Sequence, residues 1–387
     1  MLIGIPKEIM GQENRVAALP ETVEKFVKLG YEVMVESNAG AGVFVTDDQY
    51  QSAGAVIGAD AKEVYDRSDI ILKVKEPLFN EAFNTHEIDM IKENTILITF
   101  LHPATPSNHD GVKKLQQRQI TAFTMDGIPR ISRAQRMDPL TSMSAITGYK
   151  AIILAAGHFP KFIPMIGTSI GMIKPANILV VGTGVVGLQA IATGKRLGGV
   201  VKAVDIRPDA RKEAESLGVK VVGFEAPPEL VIGRGGYAKA LPEEWLEKEH
   251  QALAPLVADA DIIVLSALVP GEVAQTLITR EMVETMKPGS VIVDVSIDQG
   301  GNCEMTDPGK ERMHNGVYIC GIKNIPGSLP VHASWLYANN LYYFVENLFK
   351  NQTLEFDMTD EIVKDSLVTH QGELYHQGAR KAMGLSD

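Results

Sequence analysis

Three glycines with the spacing Gly-x-Gly-x-x-Gly follow an apolar run near the middle of the chain. The run covers 178–181, and the glycines are Gly182, Gly184 and Gly187. In this arrangement the first glycine permits a tight turn from strand to helix, the second lets backbone amides approach a pyrophosphate, and the third allows close packing of the helix. The N-terminus of that helix favours negative charge. The pattern therefore predicts that the protein binds a dinucleotide.

An acidic residue, Asp205, stands at the end of the next apolar run, Val200–Val204. A carboxylate about 20 residues beyond the glycines accepts hydrogen bonds from both ribose hydroxyls and repels a 2′-phosphate. The sequence therefore predicts NAD(H) in preference to NADP(H). The candidate nucleotide-binding residues of this region are Gly182, Gly184, Val185, Val186, Gly187, Asp205, Ile206 and Arg207.

Apolar runs alternate with helical segments along most of the chain, which predicts parallel sheets. The N-terminal third has predicted strands at 2–5, 31–35, 70–74, 95–100 and 120–124, with helices at 21–29 and 108–118. The second series has predicted strands at 178–181, 200–204, 219–222, 262–265, 291–293 and 317–320. Six parallel strands are the size of a whole Rossmann unit.

We predict an α/β fold with two Rossmann-like, doubly wound parallel-sheet domains and a cleft between them. A helix over 142–159 joins the domains, and the C-terminal segment, with a helix at 334–349 and short strands at 354–356 and 367–375, returns to the first domain. The predicted domains are 1–138 plus 328–387, and 139–327, of which the second binds NAD(H). The cleft is the expected active site.

The stretch 224–241 is long and rich in glycine for a simple connection. Such a loop is typical of a lid that closes over a bound cofactor. An ordinary surface excursion is the alternative interpretation.

Composition excludes several function classes. Of the 387 residues 45% are hydrophobic, and no apolar run approaches the roughly 18 residues of a membrane span. The net charge of −11 argues against binding to nucleic acid. Cys303 and Cys320 lack the spacing of a zinc site or a redox pair, so we predict no metal. The chain starts on a strand pattern rather than a signal peptide, so we expect a cytoplasmic protein.

A polar cluster lies close to the predicted domain boundary. It consists of Arg130, Arg133, Gln135, Arg136 and Asp138. Taken alone, these residues are either fixed donors that face a cleft or a solvated turn.

The whole sequence resembles the soluble NAD(H)-binding domain, or alpha subunit, of proton-translocating transhydrogenase. The resemblance runs from residue 1 to about 380, and the cluster lies in its most distinctive segment, PRISRAQRMD at 129–138. The other matching segments are GIPKE at 4–8, NRVA at 14–17, GYKA at 148–151, the glycine motif, GGYAK at 235–239, ALVPG at 267–271, MKPGSVIVD at 286–294 and GGNCE at 300–304.

The resemblance implies specific roles for several residues. Arg130, Gln135 and Asp138 are expected beside the nicotinamide, with Thr141 as a further partner of its carboxamide. Tyr237 is expected to fold over the bound nucleotide. The remaining residues expected to line the nucleotide pocket are Ala267, Leu268, Pro270 and Gly271.

The resemblance also implies partners. The chain is expected to form a homodimer and to dock an NADP(H)-binding domain, with proton translocation in membrane-spanning segments that belong to separate chains. It would then lie at the cytoplasmic face of the inner membrane, held there by these partners. Hydride passes directly between two nicotinamide rings and needs no general acid or base, so the polar residues would position the rings.

The chain also resembles alanine dehydrogenase, which shares the two-domain architecture. That family places an arginine, a lysine, a histidine and an aspartate around its amino acid, and these correspond to Arg15, Lys75, His102 and Asp298. This resemblance implies oxidative deamination of a small amino acid as the alternative function. The PRISRAQ segment, the GGYAK loop and the tail from Asn351 favour the transhydrogenase. A nucleotide-binding regulator without catalysis is a third possibility.

Overall fold

The computed structural model describes residues 1–233, 238–268, 273–354 and 356–385. This portion of the chain divides into two compact units: unit 1 with Met1–Met143 and Pro326–Asp387, and unit 2 with Ser144–Ile325. The sequence pattern placed the boundaries after residues 138 and 327.

The strands of the described residues are β1 (Leu2–Ile5), β2 (Glu32–Glu36), β3 (Val56–Gly58), β4 (Ile70–Leu72), β5 (Phe79–Asn80), β6 (Thr85–His86), β7 (Ile96–Thr99), β8 (Thr121–Thr124), β9 (Ile166–Thr168), β10 (Gly171–Ile173), β11 (Asn177–Val181), β12 (Val200–Val204), β13 (Lys220–Val221), β14 (Ile262–Leu265), β15 (Val291–Asp294), β16 (Glu311–His314), β17 (Val317–Cys320), β18 (Phe349–Lys350), β19 (Thr353–Leu354), β20 (Leu367–His370) and β21 (Glu373–Leu374).

The α-helices of the same residues are α1 (Pro20–Lys28), α2 (Asp47–Ser52), α3 (Ala61–Arg67), α4 (Glu87–Met90), α5 (His109–Gln117), α6 (Pro139–His158), α7 (Val185–Arg196), α8 (Pro208–Ser216), α9 (Pro228–Val231), α10 (Glu243–Asp259), α11 (Arg280–Glu284), α12 (Pro330–Leu348), α13 (Glu361–Ser366) and α14 (Gln377–Ala382).

Unit 1 is built on a sheet whose described strands run in the order β21-β20-β8-β7-β4-β1-β2-β3. The strands from β8 to β3 pair in parallel, whereas β20 is antiparallel to β8 and to β21. The C-terminal segment therefore extends the sheet that the N-terminal strands begin. Strands β4 and β7 are buried along their whole length, which explains why they appear in the sequence as continuous apolar runs.

Unit 2 is built on a sheet whose described strands run in the order β13-β12-β11-β14-β15-β17-β16. All of them pair in parallel except β16. This is the strand order of a Rossmann domain with an antiparallel edge strand added. The predicted fold class of two Rossmann-like α/β domains is confirmed.

Side chains alternate between two apolar cores on the faces of the unit 2 sheet. Ile178 and Val180 belong to one core, and Leu179 and Val181 belong to the other. Helix α7 contributes to the first core and helix α10 to the second. The sheet is therefore covered on both faces, as a parallel sheet requires.

The hairpin formed by β9 and β10 carries apolar side chains that are open to solvent. Ile170 is 97% exposed and Met172 is 71% exposed. Among the described residues, no helix is long and apolar enough to cross a membrane.

Candidate functional site

The glycine motif forms the turn between β11 and α7. Gly182 has φ +87°, and a Cβ atom added there would lie 2.7 Å from the backbone nitrogen of Ala267. A Cβ added at Gly187 would lie 1.9 Å from the carbonyl oxygen of Gly182. A Cβ added at Gly184 would meet no described atom within 4 Å. The outer two positions therefore require glycine for the turn itself, while the middle one leaves open space beside the start of α7.

The first turn of α7 begins with Val185 and Val186, and both side chains are partly buried. The helix has no acidic residue in its first turn and no side-chain cap at Gly184. Its first N–H groups are therefore available to an anion. A pyrophosphate fits this cradle.

Asp205 lies buried at the end of β12 and accepts several hydrogen bonds. The backbone N–H and the hydroxyl of Thr183 donate to its Oδ2 from 2.7 and 3.1 Å. Arg207 donates to its Oδ1 from the backbone at 2.8 Å and to its Oδ2 from Nη2 at 2.9 Å. Burial opposes the charge of Arg207, but the hydrogen bond and the charge of Asp205 outweigh it and raise the arginine pKa. The carboxylate is therefore fixed beside the glycine turn.

Two residues near this turn were missed by the sequence interpretation. Thr183 is fully buried, and its hydroxyl also donates to the carbonyl of Ala210 at 3.0 Å. Its position inside the glycine motif gave no signal, because the motif accepts any residue there. Asn302 exchanges hydrogen bonds with the backbone of Ala267 in both directions, each at 3.0 Å. Asn302 stands in the GGNCE segment that supported the resemblance.

Glu249 is a further missed residue, on α10. It is 4% exposed, and burial followed by the negative charge of Asp205 raises its pKa to about 7. The signal was present, since Glu249 shares one helix face with the buried residues Leu253 and Val257. A carboxyl group on an apolar stripe is unusual, because glutamate is rarely buried without a partner of opposite charge.

Some of the remaining predicted pocket residues lie within the described part of the chain and others do not. Leu268 is partly buried and directly follows Ala267. Tyr237, Pro270 and Gly271 lie outside the described residues, as does most of the glycine-rich section of the predicted lid. Ile206 is partly buried between Asp205 and Arg207.

The arginine-rich cluster lies in unit 1, on a 3-10 helix over Ser132–Met137 and the residues beside it. Arg130 and Gln135 are exposed. Asp138 is buried and accepts from Thr141, from the backbone N–H at 3.0 Å and from the hydroxyl at 2.6 Å. These contacts place Asp138 just before α6 and cap the helix. Asp138 and Thr141 are thus held together, and Arg130 and Gln135 are directed outward.

The residues of the alternative function do not all lie in one unit. Arg15, Lys75 and His102 belong to unit 1, whereas Asp298 is an exposed residue of unit 2. Arg15 is buried and pairs with Glu13 through two contacts, of 2.8 and 2.5 Å.

His102 lies beside a carboxylate. Its Nδ1 is 3.1 Å from Oδ2 of Asp126, which also accepts from Thr124. Burial lowers the pKa of His102, but the hydrogen bond and charge of Asp126 outweigh burial and raise it. Burial alone would raise the pKa of Asp126, but the hydrogen bond and charge of His102 outweigh burial and lower it to about 2. An aspartate fixes the imidazole and leaves Nε2 as the outer nitrogen.

A buried ionic cluster lies where β1 and β4 end. Lys73 is fully buried, with its Nζ 3.5 Å from Glu8 and 3.2 Å from Glu87. Burial opposes its charge, but the two glutamates outweigh it and raise its pKa. Glu8 also accepts from the backbone N–H of Val74 at 2.6 Å. The cluster therefore fixes the backbone that carries Lys75.

In the described ranges, no group of three or more His, Cys, Asp or Glu side chains is placed to hold a metal ion.

Comparison with known proteins gives matches over nearly the whole chain. The family model "Alanine dehydrogenase/PNT, N-terminal domain" matches residues 4–147, and "Alanine dehydrogenase/PNT, C-terminal domain" matches residues 151–377. The chain is 43% identical over 379 residues to the first part of the NAD(P) transhydrogenase subunit alpha of Rhodospirillum rubrum, covering 97% of this chain and 98% of that protein.

A solved structure and a second enzyme are also similar. The crystal structure of a transhydrogenase from Sinorhizobium meliloti superposes with a TM-score of 0.82 at 36% identity, covering 97% of this chain and 99% of that one. The alanine dehydrogenase of Methanococcus maripaludis is 33% identical over 396 residues, covering 100% of this chain and 97% of that enzyme.

Proposed function

The chain belongs to the alanine dehydrogenase/PNT family, and on that premise we propose that it is the NAD(H)-binding alpha subunit of a proton-translocating NAD(P) transhydrogenase. It passes hydride between NADH on its own unit 2 and NADP⁺ on a partner chain. Its higher identity to the Rhodospirillum rubrum transhydrogenase subunit than to the alanine dehydrogenase supports this function.

The glycine turn of unit 2, with Asp205 beside it, is the observation that carries the proposal. Gly184 leaves open space among the described atoms at the N-terminus of α7, where the pyrophosphate would be held. Asp205 would accept from the ribose hydroxyls of the adenosine, and its charge would disfavour a 2′-phosphate. Bound NADH supplies the hydride from C4 of its dihydronicotinamide ring.

Positioning is the task of the remaining predicted residues. Arg130, Gln135 and Asp138 would orient the ribose and carboxamide of the nicotinamide, with Thr141 as a further partner. Hydride transfer between two rings needs no proton donor, so orientation of the rings governs the rate. Tyr237 would close over the nucleotide.

The proposal includes three further expectations about assembly. NADP(H) is bound by a separate subunit, and proton translocation resides in membrane-spanning subunits that hold this chain at the cytoplasmic face of the inner membrane. The Rhodospirillum rubrum relative is named as one portion of a subunit, which supports division among chains. The chain itself forms a homodimer, which the solvent-exposed apolar residues Ile170 and Met172 of the β9–β10 hairpin support.

Isotope transfer tests the function. The purified protein is mixed with NADH deuterated at C4, NADP⁺ and the NADP(H)-binding subunit of the Rhodospirillum rubrum transhydrogenase. Deuterated NADPH should appear by mass spectrometry only when both proteins are present. Saturable binding of NADH and of the partner subunit without deuterium transfer would contradict the proposal.

Oxidative deamination is the second candidate, and the pairing of His102 with Asp126 favours it. A histidine fixed by an aspartate could move the proton that imine hydrolysis requires. The pairing of Arg15 with Glu13 weighs against it, because Glu13 already accepts hydrogen bonds from the Nε and Nη2 groups of the guanidinium. Formation of NADH from NAD⁺ and L-alanine would support this function, and its absence in a protein that binds NADH would exclude it.

A further inference from the structure

The 3-10 helix Ser132–Met137 is fastened to the C-terminal segment of unit 1 by Arg133. Its Nη1 donates to Oδ2 of Asp360 at 3.0 Å, and its Nη2 donates to Oδ1 of the same carboxylate. A two-pronged arginine–carboxylate pair fixes orientation as well as distance. Asp360 thus fixes the orientation of the 3-10 helix Ser132–Met137.

Arg136 fastens the same segment to α12. Its guanidinium carbon lies 3.5 Å from the centre of the Tyr343 ring. The backbone carbonyl of Arg136 accepts from Nδ2 of Asn340 at 2.8 Å. Ala134 and Met137 are buried beneath the segment. Arg133 and Arg136 are exposed but held by these contacts, and Arg130 and Gln135 are exposed as well.

Asp360 is itself rigidly placed. It caps α13 by accepting from the backbone N–H of Ile362 at 2.8 Å. The hydrogen bond from Arg133 lowers its pKa against the opposing effect of burial. The carboxylate is therefore charged, and it links two elements that are more than 220 positions apart in the sequence.

We infer that Asp360 and Tyr343 are positioning residues for hydride transfer, because they hold Ser132–Met137 in the conformation in which Arg130 and Gln135 can orient the nicotinamide. This inference rests on the proposed function. Both would act through the segment Ser132–Met137 rather than by touching the reacting atoms. The segment after Asn351 thus contributes geometry to the reaction through Asp360.

Two substitutions test the inference. Asp360→Asn removes the ion pair but keeps a good helix cap, and Tyr343→Leu removes the ring beneath Arg136. Each should slow hydride transfer to the partner subunit by about tenfold while leaving the Kd for NADH within about twofold. Without nucleotide, amide hydrogen exchange over 130–138 should become faster in both variants. Arg133→Lys keeps the charge but not the two-pronged contact, and should give an intermediate rate.

Glu63→Gln is the matched control, since it breaks another exposed ion pair of unit 1, between Arg67 and Glu63 at 2.6 Å. It should change neither hydride transfer nor exchange over 130–138. Wild-type transfer and exchange in both test variants would overturn the inference alone. An equal loss of NADH affinity would also overturn it, because the pair would then serve binding. A wild-type protein that binds NADH and the partner but transfers no hydride would overturn the proposed function instead.

Discussion

The two sheets carry different kinds of residue at corresponding loops: glycines in unit 2 and charged side chains in unit 1. In unit 2 the loop after β11 is Gly182-Thr-Gly184, which leaves open space at the start of a helix. In unit 1 the loop after β1 is Pro6-Lys7-Glu8, and Glu8 pairs there with the buried Lys73 that follows β4. Each loop lies where the strand order reverses, beside β14 in unit 2 and beside β4 in unit 1.

The comparison separates what the fold provides from what side chains provide. Parallel sheets of this kind form a crevice at the point where the strand order reverses. Glycine keeps the crevice of unit 2 open to a nucleotide, whereas Glu8 and Lys73 occupy the corresponding place in unit 1. A shared architecture therefore does not imply a shared function.

The largest effect is expected at the ionic cluster of unit 1. Lys73→Met leaves Glu8 and Glu87 buried without their cation and should lower the free energy of unfolding by about 3–5 kcal/mol. Urea denaturation measures this. Lys92→Met, which breaks the exposed Lys92–Asp69 pair at 3.2 Å, should cost about 1 kcal/mol or less. Equal losses in the two variants would show that burial of the cluster has no special energetic role.

A pH effect should come from Glu249, a buried carboxyl of unit 2 whose charged neighbour is Asp205. Because its pKa is raised to about 7 in the folded protein, the folded state binds more protons than the unfolded state between about pH 4.5 and 7. Its contribution to stability is therefore full below pH 4.5 and is lost as the pH rises through 7.

Glu249→Gln removes this contribution. The wild type should lose about 3 kcal/mol more than the variant between pH 4.5 and pH 8, measured by urea denaturation at both values. Parallel pH profiles for the two proteins would contradict a raised pKa at this position.

The glycines of unit 2 should separate stability from binding. Gly182 has a positive φ, and Gly182→Ala places a Cβ against Ala267. This variant should lower the free energy of unfolding by about 1–3 kcal/mol. It should also bind NADH more weakly. Gly184→Ala has open space among the described atoms, so it should weaken NADH binding with little change in stability. Calorimetry and thermal denaturation of both variants measure the two effects. Unchanged NADH affinity in Gly184→Ala would show that the open space at this loop does not serve nucleotide binding. The functional contrast with the loop of unit 1 would then be wrong.

The smallest effect concerns the choice of nucleotide. Asp205→Asn removes a fixed negative charge and should reduce the preference for NADH over NADPH by about tenfold, measured as the ratio of the two Kd values. Asp209→Asn removes an exposed charge nearby and should leave the ratio unchanged. If both variants kept the wild-type ratio, Asp205 would not select the nucleotide.

Sequence patterns predicted the sheets well because buried parallel strands appear as continuous apolar runs. The six parallel strands of unit 2 were all predicted. Two edge strands were missed: β3 is three residues long and ends on a glycine, and the side chains of β16 are at least partly exposed. Edge strands lack the two-sided burial that creates the apolar signal.

The sequence suggests candidate site residues where a short local motif carries them. Gly182, Gly187 and Asp205 stand within one strand–helix–strand segment, so their spacing is readable. The partners that hold the site come from distant regions of the chain: Asn302 for Ala267, and Asp360 for Arg133. No local pattern links such residues, because the contact exists only after folding.

Titration of the wild-type protein with NADH and with NADPH tests the central claim most directly. The open glycine turn and Asp205 predict saturable binding of NADH and at least about tenfold weaker binding of NADPH. Failure to bind NADH, or equal affinity for the two nucleotides, would contradict the assignment of unit 2 as an NAD(H) site.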